Sequence, residues 1–198
     1  MSENSIEKVL ICDIWGDYAH FRKIYTTTSP LTFSVPPRTA LSGLIGAIIG
    51  LTKKNNGYLE YFTLDKAKIG LRILNPIKKI RLAENLIHTK LAKGIGMNLI
   101  TERAQISFEF WKNPKYRIYF WHNDKEIYNT FKNHLSTHKS IYTPCLGLSE
   151  NIANFGFIGE CNILPQKSNG NTIIHSIISI KKLVEERGVD FTENMEYF

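Results

Sequence analysis

The chain has 198 residues, 43% hydrophobic and 12% aromatic, with a net charge of +7, enough to bury one substantial core as a single domain over residues 1–198. No stretch approaches the roughly 18 consecutive apolar residues of a membrane span, and MSENSIEKVL lacks a basic then apolar leader, so the expectation is a soluble, cytoplasmic protein with no membrane partner. Cys12, Cys145 and Cys161 form no C-x-x-C pair, which excludes a disulfide framework and reads as three buried, reduced thiols.

In chain order, KVLICDIWG (8–16) is an apolar, β-branched run suited to a central strand. YAHFRKIYTTTSPLTFSVPP follows; Pro30, Pro36 and Pro37 make it irregular or extended. RTALSGLIGAIIGL then spaces Leu41, Leu44, Ile45, Ile48 and Ile49 as the core stripe of a helix. A second stripe, Ala40, Gly43, Ala47 and Gly50, holds only the smallest side chains and predicts unusually close approach of a neighbouring backbone. That approach offsets the roughly 1 kcal/mol lost at each interior glycine. Pro37 suits the first turn, Thr39 can cap, and Arg38 stands where free N–H groups make an anion site.

AKIGLRIL alternates Ile69, Leu71 and Ile73 with Lys68, Gly70 and Arg72, giving a strand with one apolar and one basic face. PIKKIRLAENLIHTKLAKGIGMNLITER alternates weakly and turns at Gly94 and Gly96, which predicts a projecting arm over about 77–103. RAQISFEFW and YRIYFWH alternate on either side of NPK and are expected to pair with each other. NDKEIYNTFKNHLSTH is a second helix, with Asn123 and Glu126 at capping-box spacing and Ile127, Phe131 and Leu135 on one stripe. Two further strands are expected, in ANFGFIGECNIL and TIIHSIISI, before a polar tail over about 181–198. Together these elements predict an α+β, ferredoxin-like core carrying an inserted arm.

Charge is concentrated. Residues 66–93 hold eight Lys or Arg against Glu84 alone, an excess that equals the whole net charge, so the remainder is neutral. Such a local excess suits a polyphosphate better than it suits general solubility. Metal chemistry has little to build on: His134 and His138 are spaced i, i+4, but no Glu follows the first and no third ligand is in sight, so they read as a solvent face. No phosphate loop, nucleophile elbow or paired carboxylates appear, and no cofactor is called for.

FRKIYTTTSPLTFSVPPRTALSGLIGAIIGL, NPKYRIYFWH and IYTPCLGLSENIANFGFIGE, in that order, closely resemble the fifth family of CRISPR-associated proteins, in its subtype I-B branch. The resemblance runs from about residue 9 to residue 163. It implies a repeat-associated RNA-binding protein with a ferredoxin-like (RRM-like) core and a β-hairpin thumb. Such a protein caps one end of the Cascade surveillance complex in antiviral defence, gripping the 5′ handle of the CRISPR RNA. The implied partners are that RNA, the backbone and large subunits, and target DNA beside the protospacer-adjacent motif. Relatives continue beyond MEYF, so a C-terminal segment is expected to be short or absent here.

For RNA contact the residues that can serve are Arg22, Lys23, Arg38 and Thr39, then Lys90, Lys93 and Arg103 on the thumb, with Gln105 for a base edge. Tyr25, Tyr119 and Trp121 read first as core packing and second as stacking faces; Arg117 reads as an exposed strand residue. TPCLGLSE either packs the sheet or meets another subunit. Subtype I-C relatives cut precursor CRISPR RNA themselves. A metal-independent endoribonuclease is therefore the rival reading, with His20, Tyr25, His88, Lys90 and His122 as candidates for general acid and base work. None matches the I-C catalytic spacing, and the expectation is no catalytic residue and no metal.

Overall fold

A computed structural model describes residues 6–26, 28–87, 103–164 and 173–178. Among the described residues seven strands form two antiparallel sheets. Strands β1 (Lys8–Trp15), β3 (Ala67–Ile73), β6 (Lys115–His122) and β7 (Asn154–Asn162) make the larger, in the order β3-β6-β1-β7, while β2 (Tyr18–Ala19), β4 (Lys79–Ile87) and β5 (Arg103–Lys112) make the smaller, in the order β2-β5-β4. Helices α1 (Arg38–Ile49) and α2 (Lys125–Ser136) pack on one face of the larger sheet.

Alternation explains the larger sheet. Leu10, Cys12 and Ile14 of β1 and Tyr116, Ile118 and Phe120 of β6 point inward and are at most 1% exposed. They meet Leu41, Leu44, Ile45 and Ile48 of α1 and Phe131 and Leu135 of α2. Each such side chain, fully buried, contributes roughly 1.5–3 kcal/mol. Helix α2 is fastened to β7 through Glu160, which accepts from Tyr128 Oη at 2.6 Å and Lys132 Nζ at 2.9 Å. Burial and the adjacent Asp13 push the Cys12 thiol up to about 12, so it stays protonated. Cys161 is exposed on β7, contrary to the expectation of three buried thiols.

The strands β5 and β6 do not pair, although a short turn joins them. At Asn113 (φ 52°) and Pro114 the chain changes sheets: β5 pairs with β4 from Lys79↔Trp111 to Ile87↔Arg103, and β6 pairs with β1 and β3. The sheets share a core where Trp111 packs on Tyr116, ring centroids 5.8 Å apart. Residues 173–178 are not a strand, contrary to expectation; Ile177 N–H donates to the Leu71 carbonyl at the free edge of β3. A 3-10 segment, Lys54–Phe62, was not legible in KNNGYLEYF; Asn55 and Asn56 interrupt it with φ near +54°.

The helix ends also depart from expectation. Pro37 is the N-cap of α1 and makes no side-chain cap bond, so Thr39 lies inside the first turn and does not cap. Asp124, not Asn123, caps α2, accepting from Glu126 N–H at 2.8 Å. The helix stops at Ser136, so His134 and His138 share no helical face; His138 stacks on Phe155. Gly50 is no interior residue but the C-cap of α1, at φ +85°, where a Cβ would meet Ile141 Cγ1 at 2.9 Å.

Gly43 and Gly46 face Tyr58 rather than a neighbouring backbone. With Ala40, Ala47, Tyr142 and Cys145 they line a cavity of about 560 Å³. A Cβ on Gly43 would sit 3.6 Å from Tyr58 Oη, an ordinary contact. Gly43→Ala is therefore expected to raise stability by up to about 1 kcal/mol, read as a higher urea midpoint at unchanged slope. A lowered midpoint would restore the close-approach explanation.

Candidate nucleic-acid interface

The loop after β2 doubles back on itself. Phe33 N–H donates to the Phe21 carbonyl at 2.7 Å, Lys23 N–H to Leu31 at 2.8 Å, and Phe21 N–H to the Thr32 hydroxyl at 2.8 Å. Thr32, fully buried, closes the neck. Nothing covers the tip among the described residues, so Tyr25 is 69% exposed and Ile24 94%. Core packing of Tyr25 is thereby excluded. Lys23 Nζ lies 5.8 Å from the Tyr25 ring centroid and 5.9 Å from that of Phe33, within cation–π range. Arg22 is exposed and its Nη2 donates to the Thr26 carbonyl at 3.0 Å, which orients the guanidinium without neutralising it.

The loop is seated on β5. Glu109 N–H donates to the Pro30 carbonyl, and the Glu109 carboxylate accepts from Thr32 N–H at 3.3 Å and faces Lys79 Nζ at 3.4 Å. One carboxylate thus joins the loop to the base of the β4–β5 arm. Along that arm Phe108 and Phe110 are buried, whereas Arg103 and Gln105 are exposed towards its far end, opposite Ile87 and Asn85. Alternation puts Arg81, Arg103 and Gln105 on one face of the arm. Lys90, Lys93 and His88 lie outside the described residues.

Other candidates are placed elsewhere. Arg38 turns back under α1: its Nη2 donates to the carbonyls of Phe62 at 2.9 Å and Ala67 at 2.8 Å, with Thr63 at 3.5 Å. Burial holds its pKa below the ordinary arginine value. Thr39 is exposed in the first turn of α1. His122 is 5% exposed, and both ring nitrogens are committed: Nε2 donates to the Tyr61 carbonyl at 2.7 Å and Nδ1 accepts from Asp124 N–H at 2.9 Å. His20 is 1% exposed, with Nδ1 2.7 Å from the Glu109 carbonyl and its ring against Phe108 and Phe110. His122 stands on β6 of the larger sheet, His20 follows β2 of the smaller one, and Tyr25 stands in solvent. Arg117 is not a free strand residue: its Nε and Nη2 grip both oxygens of Asp13 at 2.7 and 3.1 Å.

Phe33 and Arg81 were missed by reading the sequence. Phe33 stands in the Pro-rich approach to α1, where an aromatic residue has no element to bury it; that position was a usable signal.

Among the described residues no helix is long and apolar enough to cross a membrane. The fold and this surface define a mixed α/β protein of two antiparallel sheets with a basic and aromatic loop beside a basic arm. The chain belongs to the CRISPR-associated protein (Cas_Cas5) family, whose sequence model matches residues 9–135. It is similar to a chain of a CRISPR RNA-guided surveillance complex, at 14% identity and a TM-score of 0.53, covering 72% of this chain and 58% of that one. It is also similar to a CRISPR-associated protein (14%, TM-score 0.45, 79% and 70% covered) and to a functionally uncharacterized protein of Streptococcus mutans (17%, TM-score 0.43, 78% and 70%). The chain thus spans 58% to 70% of the length of these three. No curated protein matches it.

Proposed function

We propose that this chain is the RNA-binding subunit of a subtype I-B surveillance complex, holding the 5′ handle of the CRISPR RNA and joining the backbone and large subunits. The observation that carries this is the exposed Tyr25, with Lys23 Nζ within cation–π range of its ring and Arg22 exposed on the same loop, which Glu109 ties to the base of the basic arm. Single-stranded RNA offers phosphates to the cations and unpaired bases to the ring. Family membership supports the CRISPR setting.

Taken with β4 and β5 as an insertion, strand-helix-strand-strand-helix-strand in the order β3-β6-β1-β7 is a ferredoxin-like arrangement, with the β4–β5 arm as its thumb. The role is binding rather than cleavage. A general base needs a free lone pair within reach of the 2′-hydroxyl, and the burial of His20 and the double commitment of His122 support a non-catalytic reading.

Replacing Arg22, Lys23 and Tyr25 together by Ala is expected to weaken binding of labelled repeat RNA at least about tenfold without lowering the melting temperature, since stacking alone contributes ~1–3 kcal/mol per base. Unchanged affinity at matched salt would remove the loop from the interface. Site-specific cleavage without metal, lost on His88→Ala, would overturn the non-catalytic role.

A further inference from the structure

The helices cover one face of the larger sheet, and the opposite face has its own chemistry. Cross-strand register arranges it in rows: Arg72 beside Arg117 beside Asp13, then Gly70 beside Tyr119 beside Ile11, then Lys68 beside Trp121. Residues two apart on a strand share a face at roughly 6.6 Å spacing. Cations and aromatic rings therefore share one surface.

Glycines open room for those rings. A Cβ on Gly70 would lie 3.4 Å from Tyr119 Cβ and 3.6 Å from its Cδ2, so the tyrosine leans over the neighbouring strand where that strand has no side chain. A Cβ on Gly156 would lie 3.4 Å from Cη2 and Cζ3 of Trp15, so the far end of the indole extends across β7. Tyr119, Trp121 and Trp15 are half-buried on this face.

The charges point the same way. Asp13 is the acid of this surface, and both its oxygens are held by Arg117. Arg72 stands directly opposite Arg117 and has no hydrogen-bond or ion-pair partner among the described residues. Arg117 is matched by Asp13, so the charge left over in this row is that of Arg72. Lys68 Nζ donates to the Leu64 carbonyl.

We infer that this outer sheet face is a second RNA-contact surface, on which Tyr119 and Trp121 stack unpaired bases while Arg72 and Lys68 take the adjacent phosphates. It rests on the reading that this chain binds RNA. Charge complementarity selects a polyanion, and the aromatic rows select one with unpaired bases.

The test is ultraviolet crosslinking of the full chain to an oligouridylate carrying 5-iodouridine, with affinity measured in parallel. Crosslinks at Tyr119 or Trp121 are expected. The double variant Tyr119→Leu with Arg72→Gln should lose affinity about fivefold or more, while Tyr119→Phe, which keeps the ring, should bind as the parent does. Crosslinks confined to the loop at residues 22–33 and to the arm, with the double variant unimpaired, would overturn the sheet surface and leave the RNA-binding reading intact. No binding of any RNA would overturn both. Loss of self-association in the double variant, with RNA affinity unchanged, would also overturn the inference, because the face would then be a contact between copies.

Discussion

Gly147→Ala is expected to cost at least about 3 kcal/mol, lowering the melting temperature by about 6–12 °C, the largest effect of any single methyl addition considered. Two independent causes act at that position. Its φ of +96° lies where L side chains are strained, and a Cβ would fall inside the van der Waals shell of the His20 carbonyl oxygen. The loop cannot back away cheaply, because His20 N–H donates to the Leu146 carbonyl at 3.0 Å and Leu146 N–H to Asn151 at 2.7 Å, with Leu146 itself 1% exposed. Thermal denaturation followed by circular dichroism checks this. A shift below about 2 °C would mean that the loop is not held against the His20 backbone. The alternatives left open for TPCLGLSE are thereby resolved in part: its Leu146 and Gly147 pack against the body.

Arg38→Ala is the second large effect, expected at about 2–3 kcal/mol because hydrogen bonds from a charged donor are worth ~1.5–3 kcal/mol each and their loss strands backbone carbonyls. The guanidinium joins the start of α1 to the end of the 3-10 segment and the first residue of β3, through Phe62 and Ala67. Arg38→Lys should recover only part of the loss, since an ammonium lacks the planar fork that reaches two carbonyls at once. RNA affinity, measured at a temperature where the variant is folded, is expected to be unchanged. Impaired affinity with full stability would return Arg38 to the interface.

What could be read from the sequence was mostly periodicity. β1, β3 and β6 were legible because one face of each is apolar, and α1 because its stripe recurs at helical spacing. Strand partners were not legible, since β5 and β6 both alternate and the short NPK turn looks the same whether it closes a hairpin or passes between sheets. Tyr25 was misjudged for a related reason. Hydrophobicity states what a ring would prefer, but the neck bonds of Thr32 and Phe21 decide that it stays outside. Arg38 bonds carbonyls where an anion site was expected, because β3 brings one within its reach, and the sequence pattern does not contain that neighbour.

The basic segment was visible as composition, but not its division. Lys79 is turned against Glu109 at the arm base, Arg72 faces outward on the larger sheet, and Arg81 shares a face with Gln105. Which cations remain available to a polyanion is a matter of register, which a count of charges does not contain.

The central claim, that this chain grips single-stranded RNA without cutting it, is tested most directly by titrating the full chain with labelled repeat RNA over a salt series, without metal, and resolving the same samples on a denaturing gel. Binding should weaken steeply, with a slope of about −2 to −3 in log affinity against log salt for three or four phosphate contacts, and the RNA should stay intact. A flat salt dependence or absent binding would contradict the RNA interface, and a discrete cleavage product would contradict the non-catalytic role.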